Sequence, residues 1–538
     1  MSKLKDNKAK IIEIFCNLLK EKRMTPTRAE LLSKGVTRDM IRNHFGTIFK
    51  LRMAAKEKNP NVFKDVIDET VFTPKFLKKI KTETSKYNKF VITTAVTGMS
   101  VHKAFYKNLQ YYCKVNNAKL LILASSDPAA VAGFELDGCI NPESIVIQDL
   151  ELNNNIFIST FKTSAKQINP LTGIRRIGQR ERSMIVASPK QFLEYVPTAN
   201  DKLPHAIMTT GALTKPNYTS ERYMSQRTAY IAEFDHKLGA IIVEIKDKTK
   251  FHLRQIQAEY GTGFFIDLGK YYLVDKIQVV RPEALVLGDK HVGATDPVVL
   301  KTTDNLIKNL NPKRVFFHDL FDGASVNHHE AHSFLSKANK TYNQLSLEQE
   351  LKECADEINR MTDLHSNVQE WIINRSNHDE FLDRYLNSGD YIKDPINSKI
   401  SHELALLKLN RKNVLEEGMK IKGLKNLNKL KFLNQNDSYK ISSIEHGVHG
   451  HKGLNGQRNP SNSSLEVGYG PGVFGHSHSP GILRDVFRVG TSTRLRLGYN
   501  DGGASSWLHT HCLTYQNGSR QLINIIDGEY EIRKKVRR

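Results

Sequence analysis

The segment 284–291 reads ALVLGDKH, an apolar run that ends at a glycine and leads into two possible metal ligands. The run Ala284 to Leu287 predicts a short buried strand, and Gly288 lets the chain turn where that strand ends. Side chains two positions apart in an extended segment point to the same side, so Asp289 and His291 can reach one cation. The segment therefore predicts a sheet with functional residues at the ends of its strands.

Four later segments repeat this pattern of an apolar strand that ends in polar residues. The predicted strands are residues 315–317, 371–373, 439–444 and 473–475. The polar segments that follow them are His318-Asp319, Asn377-His378-Asp379, His449-Gly450-His451 and His476-Ser477-His478. If the strands lie side by side, their ends supply enough carboxylate oxygen and imidazole nitrogen to hold two divalent cations. Such a pair of cations clamps a phosphate and stabilises the attacking and leaving oxygens of an in-line displacement.

Composition indicates a large globular protein of the cytoplasm. A chain of 538 residues is too long to fold around a single hydrophobic core and suggests about three domains. The five cysteines are far apart and never form C-x-x-C, so we expect reduced thiols and no thiolate metal ligands. No apolar run approaches the length of a membrane span, and the first residues lack the apolar core of a secretory signal, so no membrane partner is expected. Size and basicity permit a homo-oligomer.

The net charge of +22 is large even for a chain of this length. Such a field favours a polyanionic partner whose binding weakens as the salt concentration rises. Together with a phosphate-type metal site, the charge indicates DNA as the partner. The alternative is that the basic residues serve solubility or form an assembly surface.

Composition and periodicity divide the chain into four parts. We predict a basic helical domain at 1–60, a linker at 61–88, an accessory α/β domain at 89–280 and a C-terminal domain at 281–538. In the accessory domain, strands at 90–96 and 120–124 flank a helix at 101–115, which is a βαβ unit. In the C-terminal domain, longer helices are predicted at 346–368 and 401–431.

The first 60 residues hold 15 basic and 6 acidic residues, a net charge of +9. Apolar residues at helical spacing predict three helices with a tight turn before the last, which resembles a homeodomain-like helix-turn-helix. The third helix would enter the major groove of DNA, and its candidate DNA-facing residues are Arg38, Arg42, Asn43 and Lys50. A three-helix module for oligomerisation or docking is the alternative.

In order and spacing, the five polar segments resemble the calcineurin-like metallophosphoesterase superfamily, whose pattern is D-x-H, G-D, G-N-H-[DE], H and G-H-x-H. The resemblance covers residues 284–500, under half of the chain. It implies a C-terminal β-sandwich flanked by helices, with a dinuclear metal site at the strand ends. The fold class expected for the whole chain is therefore α/β, with the helix-turn-helix-like and accessory α/β domains preceding the sandwich.

The resemblance also implies a role for each polar residue. One metal would be held by Asp289, His291, Asp319 and His478, and the second by the bridging Asp319, Asn377, His449 and His476. His378 would contact the phosphate and act as general acid toward the leaving oxygen, with Asp379 orienting it. Two divalent ions are implied, and Mn²⁺ is preferred because the nuclease branch of the superfamily favours it, with Fe or Zn as alternatives.

Two positions depart from the superfamily pattern and one assignment has competitors. Ser376 stands where the superfamily has glycine before the asparagine, which is the milder change. His318 stands where the superfamily has glycine before the bridging aspartate, so the turn must differ there. His446, His449 and His451 compete for the fourth motif. We prefer His449 because Gly450 follows it.

A dinuclear site alone does not distinguish a phosphomonoester from a phosphodiester, but the basic chain favours a metal-dependent DNase. Stretches at 449–458 (HGHKGLNGQR), 475–480 (GHSHSP) and 490–492 also resemble phosphoesterases of tailed bacteriophages. That resemblance implies a phage-encoded enzyme that degrades host DNA early in infection, in the host cytoplasm. The alternatives are a protein or nucleotide phosphatase on a basic scaffold, and a non-enzymatic DNA-binding regulator whose metals are structural.

Overall fold

The computed structural model describes every residue except 1, 23–24, 27, 69–70, 126–134, 162, 179–181, 200–201, 219–224, 331–332, 336–337, 339–344 and 533–538. The chain is a mixed α/β protein with several sheets, which confirms the expected class at this level. It forms two compact units: unit 1 comprises residues 1–193 and 205–278, and unit 2 comprises residues 194–204 and 279–538. None of the helices in the described part of the chain is long and apolar enough to cross a membrane.

Unit 1 begins with four helices where the sequence predicted three. They are α1 (Ser2–Lys22), α2 (Arg28–Ser33), α3 (Arg38–Phe45) and α4 (Ile48–Lys58). The predicted third helix is split because Gly46, at a positive φ of 77°, ends α3. The Thr47 side chain then caps α4 by accepting a hydrogen bond from the Lys50 backbone N–H. The apolar faces of these helices share one core that includes Phe15 and Leu51.

The rest of unit 1 is mainly β-structure. Its helices are α5 (Pro74–Thr84), α6 (Lys103–Asn116), α7 (Arg175–Gly178) and α8 (Gln226–Phe234). Its strands are β1 (Val66–Asp68), β2 (Lys89–Val96), β3 (Lys119–Ser125), β4 (Glu135–Asp137), β5 (Ile145–Val146), β6 (Leu150–Asn153), β7 (Ile156–Ser159), β8 (Ser183–Val186), β9 (Phe192–Val196, at the border with unit 2), β10 (His205–Thr209), β11 (Gly239–Ile245), β12 (Phe251–Gln257), β13 (Phe265–Asp267), β14 (Lys270–Tyr272) and β15 (Ile277–Val279).

The predicted βαβ unit is confirmed within a sheet of order β12-β11-β2-β3-β5. There β2 and β3 are parallel and α6 connects them. A second group of strands has the order β10-β8-β7-β6, and β13, β14 and β15 form a small sheet. The segment 61–88 was predicted as a linker, but it contains α5 and lies within unit 1. The finer division of unit 1 into separate domains stays a prediction.

Unit 2 contains one sheet of order β19-β18-β17-β16-β25-β26 and a strand group of order β20-β21-β22-β24-β23. Its strands are β16 (Ala284–Val286), β17 (Arg314–Phe317), β18 (Glu370–Ile373), β19 (Leu430–Phe432), β20 (Lys440–Ile441), β21 (Ile444–Glu445), β22 (Gly472–Phe474), β23 (Gly481–Leu483), β24 (Val486–Arg488), β25 (Thr510–Thr514) and β26 (Arg520–Asn524). Its helices are α9 (Pro297–Leu310), α10 (Leu347–Leu364), α11 (Asp379–Ser388), α12 (Ser398–Leu409), α13 (Val414–Ile421) and α14 (Asn462–Tyr469).

Four adjacent strands of unit 2, β16 to β19, run parallel, so their carboxyl ends share one edge of the sheet. Three of the five ligand segments follow β16, β17 and β18 at this edge. The predicted helix 346–368 is confirmed as α10, whose first turn is capped by the Ser346 hydroxyl. The prediction of one helix over 401–431 is wrong, because α12 ends at Leu409 and Asn413 caps a separate α13.

Aromatic contacts hold the strand group of unit 2 against its six-stranded sheet. The guanidinium of Arg520 on β26 lies 4.3 Å from the ring centre of Phe487 on β24. The ring of Tyr439, just before β20, meets Phe316 of β17 edge to face, with ring centres 5.2 Å apart. The carboxyl end of β22, where the last ligand segment begins, can therefore lie close to the ends of β16 and β17.

Gly490 lies at a close approach between three backbone segments, its own, the loop that contains Asp289 and the segment around Leu508. Its carbonyl oxygen accepts a hydrogen bond from the Asp289 backbone N–H at 3.1 Å, and a Cβ at position 490 would overlap the Leu508 carbonyl oxygen. Because backbone atoms cannot swing aside, we expect Gly490→Ala to lower the free energy of unfolding by about 3 kcal/mol.

Circular dichroism during thermal unfolding would measure this effect. Gly498→Ala is the matched control, because a Cβ added at position 498 would meet no described heavy atom within 4 Å. We expect the control to unfold near the temperature of the parent. Equal midpoints for the Gly490→Ala variant and the parent would contradict the close backbone approach.

Candidate metal centre

The loops after β16 and β17 stay paired beyond the strand ends. The backbone N–H groups of Lys290 and His291 donate to the carbonyl oxygens of His318 and Asp319 at 2.9 and 2.6 Å. The Lys290 side chain turns away from the site and forms a buried ion pair with Glu357 at 2.7 Å. The side chains on either side of Lys290, those of Asp289 and His291, instead face the site, where both contact His478.

One half of the site is centred on Asp319 and Asn377. Nε2 of His449 lies 3.1 Å from Oδ2 of Asp319 and 3.1 Å from Oδ1 of Asn377. Nδ1 of His476 lies 3.1 Å from the same oxygen of Asn377. Carboxylate, amide and imidazole groups from β17, β18 and two later loops thus converge on one small volume.

The other half of the site is centred on His478. Its Nε2 lies 3.2 Å from Oδ2 of Asp289 and 3.1 Å from Nε2 of His291. Oδ2 of Asp319 lies 3.5 Å from Nε2 of His291, so Asp319 belongs to both halves. The structure therefore brings together all seven predicted ligands, which are Asp289, His291, Asp319, Asn377, His449, His476 and His478.

The buried carboxylate oxygens of this cluster are suited to bind cations. Asp289 and Asp319 are 0% and 1% exposed. Both oxygens of Asp289 and Oδ1 of Asp319 make no hydrogen bond of ordinary geometry with any described residue. Burying an ionised carboxylate without a partner costs several kcal/mol, and such groups are normally paired or bound to metal. The donor set of oxygen and nitrogen atoms therefore fits two divalent cations.

The electrostatics at Asp289, His476 and His478 agree with that fit. Burial, reinforced by the charge of Asp319, raises the pKa of the Asp289 carboxyl well above its usual range. Burial lowers the pKa of His476 to about 3 and that of His478 well below its usual range, so both imidazoles are neutral, as metal ligands must be. His291 differs, because hydrogen bonds to neighbouring carboxylates outweigh burial and raise its pKa to about 10.

Four of the predicted ligands have a backbone conformation that most residues avoid. His291, Asp319, His476 and His478 have φ values of 42°, 43°, 76° and 56°. Positive φ is uncommon outside glycine, although Asp, Asn and His adopt it more often than other residues. Such strain gathers at functional sites, where the surrounding structure enforces it. This conformation was not predicted, because the D-x-H and G-H-x-H spacing was interpreted as extended chain.

Among the three competing histidines, His449 is the one that lies in the cluster. His446 is buried behind it, where Nε2 contacts the Thr514 hydroxyl at 2.9 Å and Nδ1 contacts the Ile444 carbonyl oxygen at 2.8 Å. His451 lies at the rim, with Nε2 at 3.4 Å from a carboxylate oxygen of Glu380. The preference for His449 over its neighbours thus agrees with the geometry.

The predicted catalytic pair, His378 and Asp379, is arranged differently from the expectation. The Asp379 carboxylate accepts a hydrogen bond from the Ser376 backbone N–H at 2.9 Å, at the turn that begins α11. Nδ1 of His378 instead contacts the Asp322 carbonyl oxygen at 2.6 Å. Asp322 also contacts Nδ1 of His291 at 2.8 Å through its carboxylate. Asp322 was not among the predicted site residues, because it lies five positions beyond the end of β17 rather than directly after it.

His318, the departure from the superfamily pattern, is buried beside the ligands. Its Nδ1 lies 3.1 Å from Nδ1 of His449. One potential ligand atom each from His318, Asp289 and His449 lies within 4.8 Å of the other two. A Cβ at Gly475 would collide with both Asp289 and His318, so the glycine leaves room for this ring. His318 therefore packs against the ligand residues on the inner side of the centre.

The four candidate DNA-facing residues lie on the surface of unit 1, but on two helices. Arg38, Arg42 and Asn43 are exposed on α3, and Lys50 is exposed in the first turn of α4. Arg42 lies 3.4 Å from the carboxylate of Asp39 one turn earlier. Because Gly46 separates the helices, the four residues do not share a single recognition helix, and their binding to DNA stays a prediction.

Comparison with known proteins gives one informative relationship. No protein-family model matches the chain, and no solved structure matches it. Protein A1 of Escherichia phage T5 is 28% identical to the chain over 479 residues, which cover 83% of this chain and 84% of that protein. The chain is therefore a homologue of a phage T5 protein over most of its length.

Proposed function

We propose that the chain is a metal-dependent phosphoesterase of the calcineurin-like type that hydrolyses phosphodiester bonds in DNA. The observation that carries the proposal is the cluster of seven predicted ligand side chains, five of them buried, in which both oxygens of Asp289 and one of Asp319 make no hydrogen bond of ordinary geometry with a described residue. In this proposal, the six-stranded sheet and the strand group of unit 2 form the sandwich typical of that superfamily.

The residues of the cluster divide into two sets around a shared carboxylate. One set is Asp289, His291, Asp319 and His478, and the other is Asp319, Asn377, His449 and His476. Two divalent cations, when bound, supply a nucleophile from water at neutral pH and neutralise charge on the phosphate. Because the donors are oxygen and nitrogen without thiolate, Mn²⁺, Fe or Zn suit the site, and Mn²⁺ is our choice.

His378 is suited to manage the proton on the leaving oxygen. Its side chain is 22% exposed, so one face is open to a substrate. Because a carbonyl oxygen only accepts, the contact with the Asp322 carbonyl fixes a proton on Nδ1 of His378. Nε2 is then the nitrogen that can hold a proton and deliver it to the departing sugar oxygen.

DNA is proposed as the substrate on grounds outside the cluster. The net charge of +22 favours a long polyanion over a small phosphomonoester. The homologue is a phage protein, which supports a phage origin for this chain. We therefore propose that the enzyme acts on host DNA in the infected cell, early in infection.

A panel of three substrates tests the proposal with purified full-length protein. We expect Mn²⁺-dependent hydrolysis of duplex DNA and of bis-p-nitrophenyl phosphate, and loss of both activities in EDTA. Hydrolysis of p-nitrophenyl phosphate alone would indicate a phosphatase instead. DNA binding without hydrolysis of any ester would indicate a non-enzymatic regulator. Linear and closed-circular DNA, compared in the same assay, distinguish end-dependent from internal cutting.

A further inference from the structure

A basic groove lies along α11, outside the seven ligand side chains. It is a cavity of about 720 Å³ lined by Arg375, Arg384, Lys408 and Lys452 together with Glu380 and Asp383. We name it the α11 groove, after the helix that forms its floor. We propose that the α11 groove binds the DNA phosphate that neighbours the scissile one, so that the enzyme selects polynucleotides over small diesters. This inference rests on the proposed function.

The α11 groove begins next to the metal centre. Helix α11 starts immediately after His378, and Glu380 in its first turn lines the groove. Glu380 lies 3.4 Å from His451, whose ring centre is 5.4 Å from that of the metal-site residue His449. A nucleotide attached to a phosphate at the metal centre would therefore reach the groove directly. Successive phosphates of one strand are spaced by only about 3.4 Å along the helix axis of DNA.

The charge of the groove suits a phosphate. Four cationic side chains face two carboxylates, which leaves a net charge of +2 over these lining residues. Asp383 is shared, because both Arg375 and Lys408 pair with it. One carboxylate between two cations leaves a positive charge available to an anion, and a guanidinium can hold phosphate through two hydrogen bonds.

Arg384 strengthens the case for a phosphate. It is exposed on α11, and its guanidinium contacts Nε2 of His328. The ring of Phe381 packs between His328 and His378, with ring centres 5.3 and 4.8 Å away. The contact with His328 therefore directs the Arg384 guanidinium toward the side of the helix where the general-acid candidate His378 lies.

The same wall offers flat side chains to a base. Phe381 contacts the rings of His328, His329 and His378 with ring centres 5.3, 6.0 and 4.8 Å away, and His329 is exposed. Aromatic and imidazole faces beside a positively charged groove are typical of surfaces that bind nucleic-acid strands. The groove and this wall together favour a nucleotide unit over a free inorganic phosphate.

The test removes two groove charges and compares two substrates. In Arg384→Gln/Lys452→Gln, we expect the ratio of kcat/KM for a DNA oligonucleotide to kcat/KM for bis-p-nitrophenyl phosphate to fall at least about tenfold. The dependence of log kcat/KM for DNA on log salt should become shallower by about one to two units. A variant that carries Arg384→Lys in place of Arg384→Gln keeps the positive charge at this position, and we expect it to recover part of the lost substrate ratio.

The matched control is Lys431→Gln/Lys440→Gln, which removes the same charge from a separate cavity that also contains Arg314 at the start of β17. We expect the control to keep the parental ratio. A parental ratio in the groove variant, an equal loss on both substrates, or an equal fall in the control would each overturn the inference. Melting temperatures equal to that of the parent would show that the variants are folded. Arg384→Gln alone changes a single exposed residue and provides a milder variant. A parent that hydrolyses neither diester would refute the proposed function itself.

Discussion

Asp319→Asn is expected to reduce Mn²⁺-dependent hydrolysis of DNA by about 10³-fold or more, equivalent to about 4 kcal/mol of transition-state stabilisation. Asp319 is the side chain common to both halves of the centre, with Oδ2 at 3.1 Å from His449 and 3.5 Å from His291. An amide at this position keeps the shape of the carboxylate but removes the negative charge that two cations would share. Initial rates on plasmid DNA across a Mn²⁺ series would measure the loss.

Thermal unfolding gives a second readout that does not depend on activity. Binding of Mn²⁺ at 100 times its Kd should stabilise the parent by about 2.7 kcal/mol, and Asp319→Asn should lose most of that stabilisation. Asp356→Asn is the control, because Asp356 is 55% exposed on α10 and pairs with Lys352 at the surface. If Asp319→Asn keeps both its Mn²⁺-dependent stabilisation and its activity, Asp319 is not a metal ligand.

His378→Gln is expected to slow the cleavage of DNA by about 10²- to 10⁴-fold, the usual contribution of a positioned general acid. The loss should be much smaller for bis-p-nitrophenyl phosphate, since p-nitrophenolate departs without needing a proton. The sugar oxygen of DNA is a poor leaving group and needs that proton. Comparing kcat for the two substrates therefore separates proton transfer from other roles of this histidine.

Two observations would complete the His378 experiment. Stabilisation by Mn²⁺ should persist in His378→Gln, because His378 is not among the proposed ligands. His402→Gln, on the exposed surface of α12, serves as the control for loss of an imidazole. An equal loss on both substrates would contradict the general-acid role and indicate that His378 acts through phosphate or metal binding.

The convergence of the seven side chains was predictable from the sequence, because each is tied to a local signal. Asp289 and His291 follow a strand in the D-x-H spacing, and His476 and His478 follow another in the G-H-x-H spacing. Parallel pairing of β16, β17 and β18 then brings distant segments to one edge. Local pattern and sheet geometry together were sufficient for this part of the site.

The supporting residues were not predictable in the same way. Asp322 reaches both His291 and His378 because the loop after β17 folds back, which no periodicity encodes. Asp379 was expected to orient His378, but the start of α11 uses its carboxylate for the Ser376 backbone N–H. The break at Gly46 was missed because the apolar spacing continues across it. In each case a tertiary contact or a single backbone angle decided the outcome.

The positive φ angles at the candidate metal centre limit which substitutions these positions can accept. His291, Asp319, His476 and His478 occupy a region that β-branched side chains can enter only at a high energetic cost. Replacement at these positions is therefore limited by the backbone before the chemistry of the new side chain matters. Asn, Asp, His and Gly fit the required angles, whereas Val, Ile and Thr do not. Any change in the side chains at these four positions can draw on only that short set of residues.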